Sequence, residues 1–184
     1  MILVRHAAVA VDSSTPAASW RLSDKGRAQS AALAERLREH APRAVVASEA
    51  PKASETAKII ADALGLPFAT APGLHEHERS NEPFLSGDEW YERMRRFFAE
   101  PDTLVYGSET ARAAGDRFAA AVAKHPDNTL IVAHGTVITL LVARHNTAID
   151  PYKFWERFEP GGYVVLGMPG YLCDGELPVC IELE

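Results

Sequence analysis

Two imidazoles, two cations and a carboxylate hold matching places in this chain, each just past a short apolar run. Ile2-Leu3-Val4 leads into Arg5 and His6, and Ala44-Val45-Val46-Ala47 into Ser48 and Lys52. Pro67 to Thr70 precedes Glu76, and Thr129 to Ala133 runs into His134 and Gly135. A structural strand end requires none of these groups. Together they suit phosphoryl transfer. A neutral imidazole is a competent nucleophile toward phosphorus, and fixed cations neutralise the equatorial oxygens of the group in flight. A carboxylic acid can protonate the leaving oxygen and then act as base on water. The second imidazole, if protonated, adds a charged donor, and a helix opening at Thr136 aims backbone N–H groups at the same region.

These residues meet only if the apolar runs are parallel strands with their carboxyl ends on one edge. The remaining pattern supports that arrangement. Ser23 is a natural N-cap for a helix reaching about His40, with Ala28, Ala31, Ala32 and Leu37 on one face and Gly26 weakening its first turn by about 1 kcal/mol. Pro51 opens a helix carrying Ala53, Ala57, Ile60, Ala61 and Leu64, which Gly65 terminates. Further helices are predicted from about Asp88 to Ala99, Ser108 to Lys124, Thr136 through Val142, and Pro151 to Phe158. Tyr163 to Leu166 and Val179 to Ile181 are predicted late strands. Ala7 to Trp20 and Ala71 to Gly87 are predicted loops at the strand mouths. Strands alternate with helices, and the best strands are continuous apolar runs. The expected fold is therefore α/β: a three-layer sandwich, its mostly parallel sheet covered by helices on both faces. Ligands in such sheets sit outside the carboxyl ends of the strands.

With 184 residues, 47% of them hydrophobic and 24% charged, the chain suits one domain spanning 1–184 with a full core. A net charge of −6 argues against a nucleic-acid partner held by a general basic surface, yet leaves room for a small phosphorylated substrate or inorganic phosphate in a locally cationic cleft. No apolar run has the length of a membrane span and no targeting segment is expected, so the expected location is cytoplasmic, with no membrane partner. Cys173 and Cys180 match no zinc spacing and are expected to be free thiols. His75 and His77 alternate, but two ligands do not make a metal site, and both are expected at the surface. Ser48 is expected to cap a helix or bond a loop. Trp90, Tyr91, Phe97 and Phe98 are expected in the core. The composition leaves the oligomeric state open.

The motifs Leu3-Val4-Arg5-His6, Leu22-Ser23 with Gly26 and Gln29, Ser48 to Ala57, Leu74-His75-Glu76, Val132-Ala133-His134-Gly135 and Phe154-Trp155 to Gly162-Tyr163-Val164 resemble, in order and spacing, the histidine phosphatase superfamily, with its phosphoglycerate mutase-like fold. The resemblance covers most of the chain. It implies His6 as a nucleophile forming a transient phosphohistidine, Arg5 and His134 as phosphoryl ligands, and Glu76 as general acid and base. It implies no metal and no other cofactor. Two positions depart from the pattern. Ala7 follows the nucleophile where the family has glycine, and Lys52 stands where the family has a second phosphate-clamping arginine. Lysine keeps the charge and loses the bidentate fork. Either Lys52 suffices as a point charge, or another arginine such as Arg79 or Arg21 reaches in, or turnover is slow or lost. The implied activity is hydrolysis of a small phosphomonoester. The alternatives are mutase-type phosphoryl transfer, which the short loops disfavour, and a degenerate phosphoryl-binding protein.

Overall fold

The structure is a computed structural model, and it describes residues 1–79, 82, 85–167 and 172–173. Four parallel strands form its centre: β1 (Ile2–Arg5), β2 (Ala44–Ala47), β3 (Phe68–Thr70) and β4 (Thr129–Ala133). β5 (Tyr163–Gly167) pairs antiparallel with β1, and β6 (Leu172–Cys173) antiparallel with β5. The order across the sheet is β3-β2-β4-β1-β5-β6. The predicted strand at Val179 to Ile181, with Cys180, lies outside the described residues.

Successive side chains of a strand point to opposite faces, so each apolar run feeds two cores. Leu3, Val46, Ile131 and Ala133 pack against Phe118, Val122, Val137, Ile138 and Leu141. These last belong to α4 (Ala111–Val122) and α5 (Gly135–His145). Ile2, Val4, Val45, Leu130 and Val132 pack on the other side against Leu33, Leu37, Ala57 and Ile60. Those come from α1 (Asp24–Leu37) and α2 (Pro51–Leu64). The three-layer α/β sandwich with a mostly parallel sheet is therefore the observed architecture. A third cluster joins Met94, Phe97 and Phe98 of α3 (Gly87–Ala99) to Tyr106, Tyr152 and Trp155, the last two on α6 (Pro151–Arg157). No helix among the described residues is long and apolar enough to cross a membrane.

Several local expectations hold. Ser23 caps α1, its hydroxyl accepting from the Gly26 N–H at 3.1 Å. Pro51 starts α2, and Gly65 ends it at φ 67°, where glycine avoids the Cβ penalty. Others shift. The helix expected from Ser108 begins at Ala111, because Thr110 caps it by accepting from Ala113 N. Ser48 is not the cap of α2, whose N-cap is Ala50 without a side-chain bond.

Gly26 looked like a weak point in its helix, and the structure gives it another purpose. A Cβ there would sit 1.9 Å from the Ala8 carbonyl oxygen and 2.9 Å from its carbon. The chain leaving β1 thus lies directly on the first turn of α1. Ser23 N donates to the same Ala8 oxygen, Gln29 accepts from Ala8 N, and Thr56 of α2 accepts from Ala7 N. Two helices clamp the backbone that follows His6.

Candidate active site

Four elements deliver the predicted groups to one edge of the sheet, because the parallel strands β1, β2 and β4 all end there. Arg5 closes β1 and His6 follows it. Lys52 sits in the first turn of α2, and His134 is the N-cap of α5. Glu76 comes from the loop after β3. A cavity of about 730 Å³ opens at this edge and is lined by Lys52, Glu76, Arg79 and His134, with Trp20 and Trp90 in its wall. That volume is in the range of small-molecule sites. Arg5 and His6 are not among the lining residues. His6 joins the group through His134, the two rings meeting edge-on at 5.3 Å between centroids.

His6 is nearly buried, with 9% of its surface exposed. Its Nδ1 lies 2.9 Å from the carbonyl oxygen of Ala7. A carbonyl only accepts, so the hydrogen bond places the ring proton on Nδ1 and leaves the lone pair on Nε2. Burial, with the charges of His134, Lys52 and Arg5, holds the imidazole well below its ordinary pKa, and the ring is neutral. Ala7 proves compatible with this geometry. Ala41 is the single non-glycine residue at positive φ among the described residues, so Ala7 adopts a conformation ordinary for alanine.

The Arg5 guanidinium donates to the carbonyl of Phe158 and lies against Gly135, where a Cβ would meet its Nε, Cζ and Cδ at 3.1 to 3.3 Å. Glycine at the start of α5 is what admits the Arg5 side chain. His134 Nε2 is 2.9 Å from the Ser48 hydroxyl, and Nδ1 is buried with no partner among the described residues. Ser48 is therefore a support for His134, tied down in turn by accepting from Ala50 N. Burial, then the charges of Lys52 and Arg79, push His134 well below the usual histidine range. The second imidazole is thus held neutral at ordinary pH, where the sequence leaves open a protonated, charged donor.

Glu76 has both carboxylate oxygens engaged. His77 N donates to Oε1 at 2.9 Å and Thr136 N to Oε2 at 3.2 Å. The N-terminal amide of α5 expected to face a ligand is thus spent on Glu76. Burial would raise this carboxyl, but the Arg79 charge and the two N–H bonds outweigh it, and the group lies below the ordinary carboxylate value. The loop bearing Glu76 is riveted from α4. Arg117 donates to the carbonyls of Gly73, His75 and Glu76 at 3.0, 2.9 and 3.3 Å, and pairs with Glu109 at 2.5 Å. Nothing in the sequence around Arg117 sets it apart from a solvated helix residue.

The surface expectation for the histidine pair fails for His77. It is 2% exposed and packs on Phe97 and Tyr106, with centroids at 4.6 and 4.9 Å. Its Nε2 meets the Glu109 carbonyl at 2.9 Å. His75 is partly exposed and faces Glu78 at 3.1 Å. No group of three or more His, Cys, Asp or Glu side chains that could hold a metal ion occurs among the described residues. The aromatic expectation holds for Phe97 and Phe98, and Trp90 is partly buried against the same cluster. Trp90 and Tyr91 line the cavity, and Tyr91 is 46% exposed.

Lys52 is buried, and its Nζ donates to the Ala17 carbonyl at 2.8 Å and lies 5.7 Å from the centre of the Trp20 ring. Burial lowers its pKa to about 8; Glu76 opposes that shift, while Arg79 and Arg5 add to it. Its charge is therefore present below about pH 8 and is lost as the pH rises through that value. Binding of inorganic phosphate, titrated calorimetrically from about pH 7.5 to 9.5, is expected to weaken across this range. In Lys52→Arg the fall should vanish, since a guanidinium keeps its proton there. An equally steep fall in that variant would sever the link to Lys52.

Comparison with known proteins agrees with this fold. The family model described as "Histidine phosphatase superfamily (branch 1)" matches residues 1–170. No match was found among the curated proteins. Among solved structures, Bacillus stearothermophilus YhfR is similar at a TM-score of 0.70 and 20% identity, over 97% of this chain and 96% of the other. A mycobacterial glucosyl-3-phosphoglycerate phosphatase solved with inorganic phosphate gives a TM-score of 0.67 and 21% identity, over 89% and 87% of the two chains. At these identities the likeness speaks for the fold.

Proposed function

Because the chain belongs to the histidine phosphatase superfamily, we propose that it is a phosphatase that hydrolyses a small phosphomonoester through a phosphohistidine on His6. The observation that carries this reading is the state of His6: a neutral ring, its Nδ1 proton committed to the Ala7 carbonyl, its Nε2 lone pair free to attack. Side-chain cations supply the neutralisation, so the reaction needs no metal.

Arg5 and Lys52 bind the phosphoryl oxygens, and His134, its ring held by Ser48, is a further ligand to them. A phosphate dianion beside Glu76 raises the proton affinity of its carboxylate, which takes up a proton as substrate binds. His6 Nε2 then forms a bond to phosphorus while the ester P–O bond breaks, and the Glu76 carboxyl gives its proton to the leaving oxygen. In the second half, the Glu76 carboxylate takes a proton from water as the water oxygen attacks phosphorus. The P–N bond breaks, inorganic phosphate leaves, and His6 returns to its neutral form.

The test is to incubate the protein with a panel of phosphorylated metabolites in the presence of a chelator. Release of free phosphate, with an acid-labile phosphate trapped on the protein, is the expected result. Isomerised phosphoester without free phosphate would replace hydrolysis by mutase chemistry. Binding with neither label nor release would leave a phosphoryl-binding protein.

A further inference from the structure

Lys52 is a poor sole anchor for a phosphoryl group on this side of the cleft. It is a point charge, one of its N–H donors is already given to Ala17, and it offers no planar fork. A second cation faces the same space. Arg79 lines the cavity with Lys52, Glu76 and His134, and it has no carboxylate partner among the described residues. Its Nη1 reaches the Tyr106 hydroxyl at 3.3 Å, and its guanidinium carbon lies 4.9 Å from the centre of the Trp90 ring. Tyr106 is itself fixed, bonded to Met94 Sδ and packed on Trp90. Arg21, the other arginine that the sequence could supply, is exposed and paired with Glu55. An aromatic shelf thus holds one guanidinium in the cavity without neutralising it.

We propose that Arg79 is a phosphoryl-binding residue, clamping the oxygens opposite Arg5 and supplying the planar donor pair that Lys52 lacks. The Trp90 face leaves the edge of the guanidinium, where its N–H groups point, available to a ligand. Its charge acts on Glu76, His134 and Lys52 alike, which puts it within reach of all three walls of the site. This proposal rests on the site binding a phosphoryl group, as the reading above requires.

The experiment measures inorganic phosphate and orthovanadate binding by calorimetry, alongside turnover, for the parent, Arg79→Gln, Lys52→Arg and the double variant. Loss of a charge-assisted donor predicts about 10- to 100-fold weaker phosphate binding in Arg79→Gln. Lys52→Arg should recover a large part of that loss in the Arg79→Gln background, and its gain there should exceed its gain in the parent. Such rescue is a readout that a packing role on Trp90 would not produce, because Lys52 is held against a different wall, at the Ala17 carbonyl and the Trp20 ring. Should Arg79→Gln fold poorly, Arg79→Lys keeps the charge on the shelf and is expected to show intermediate binding. Unchanged phosphate affinity in Arg79→Gln, or an equal gain from Lys52→Arg in both backgrounds, overturns the proposal. Parent protein that binds phosphate without hydrolysing esters removes the phosphatase reading and leaves Arg79 to be judged by affinity. Parent protein that binds neither anion overturns both.

Discussion

His6→Ala is expected to lower kcat by about four orders of magnitude or more and to abolish the acid-labile label, while leaving phosphate binding measurable. The reasoning is geometric. The imidazole supplies the only protein atom that forms a bond to phosphorus, whereas Arg5, Lys52 and His134 remain to bind the anion. The substitution also removes a ring from a nearly buried position, so thermal denaturation should be followed in parallel. The backbone on both sides stays fixed by bonds that do not involve the ring: His6 N to Ala133 O at 2.9 Å and Ala7 N to the Thr56 hydroxyl at 3.1 Å. A folded His6→Ala protein that still hydrolyses esters at the parent rate would exclude the phosphohistidine route.

The second large effect is expected at Glu76. Glu76→Gln should reduce kcat by about 10²- to 10⁴-fold, the usual range for loss of a general acid and base. The loss should be largest for alkyl esters and smaller for a nitrophenyl ester, whose leaving oxygen departs with little protonation. Binding should move the other way. Removing a negative charge beside the phosphoryl group predicts tighter, not weaker, phosphate binding. Glu76 also helps keep Lys52 charged, so in Glu76→Gln the alkaline fall of phosphate affinity should begin below about pH 8. Equal losses for both leaving groups, with an unmoved pH profile, would take the acid–base role away from Glu76.

The sheet and the strand mouths were legible because burial on both faces demands continuous apolar runs, and each run here stops at a charged or polar residue. β3 was the weakest of them, and it is an exposed edge. The candidate groups Arg5, His6, Lys52, Glu76 and His134 followed from that topology. What escaped the sequence was support from distant residues. Ser48 and His134 are 86 positions apart, and Arg117 meets Gly73 across 44. No local periodicity encodes such pairs. Gly26 was misjudged for a related reason: helix propensity weighs its own turn and is blind to the Ala8 carbonyl pressed against it. His77 looked like a surface residue because it stands among Glu76, Glu78 and Arg79, while the rings that bury it, Phe97 and Tyr106, come from later in the chain. The apparent defect at Ala7 dissolved once its backbone proved ordinary.

The Arg117 anchorage beneath the Glu76 loop separates two jobs that most clefts entangle. The loop of the proposed acid is held from below, by a helix whose Ala114, Phe118 and Val122 pack in the central core. The walls above it, Ala17 to Trp20 on one side and Trp90 and Tyr91 on the other, touch the cavity without carrying that load. Such a design is modular. The walls can be rebuilt for a different leaving group while proton transfer keeps its address, so diversification of substrate need not begin by damaging the reaction.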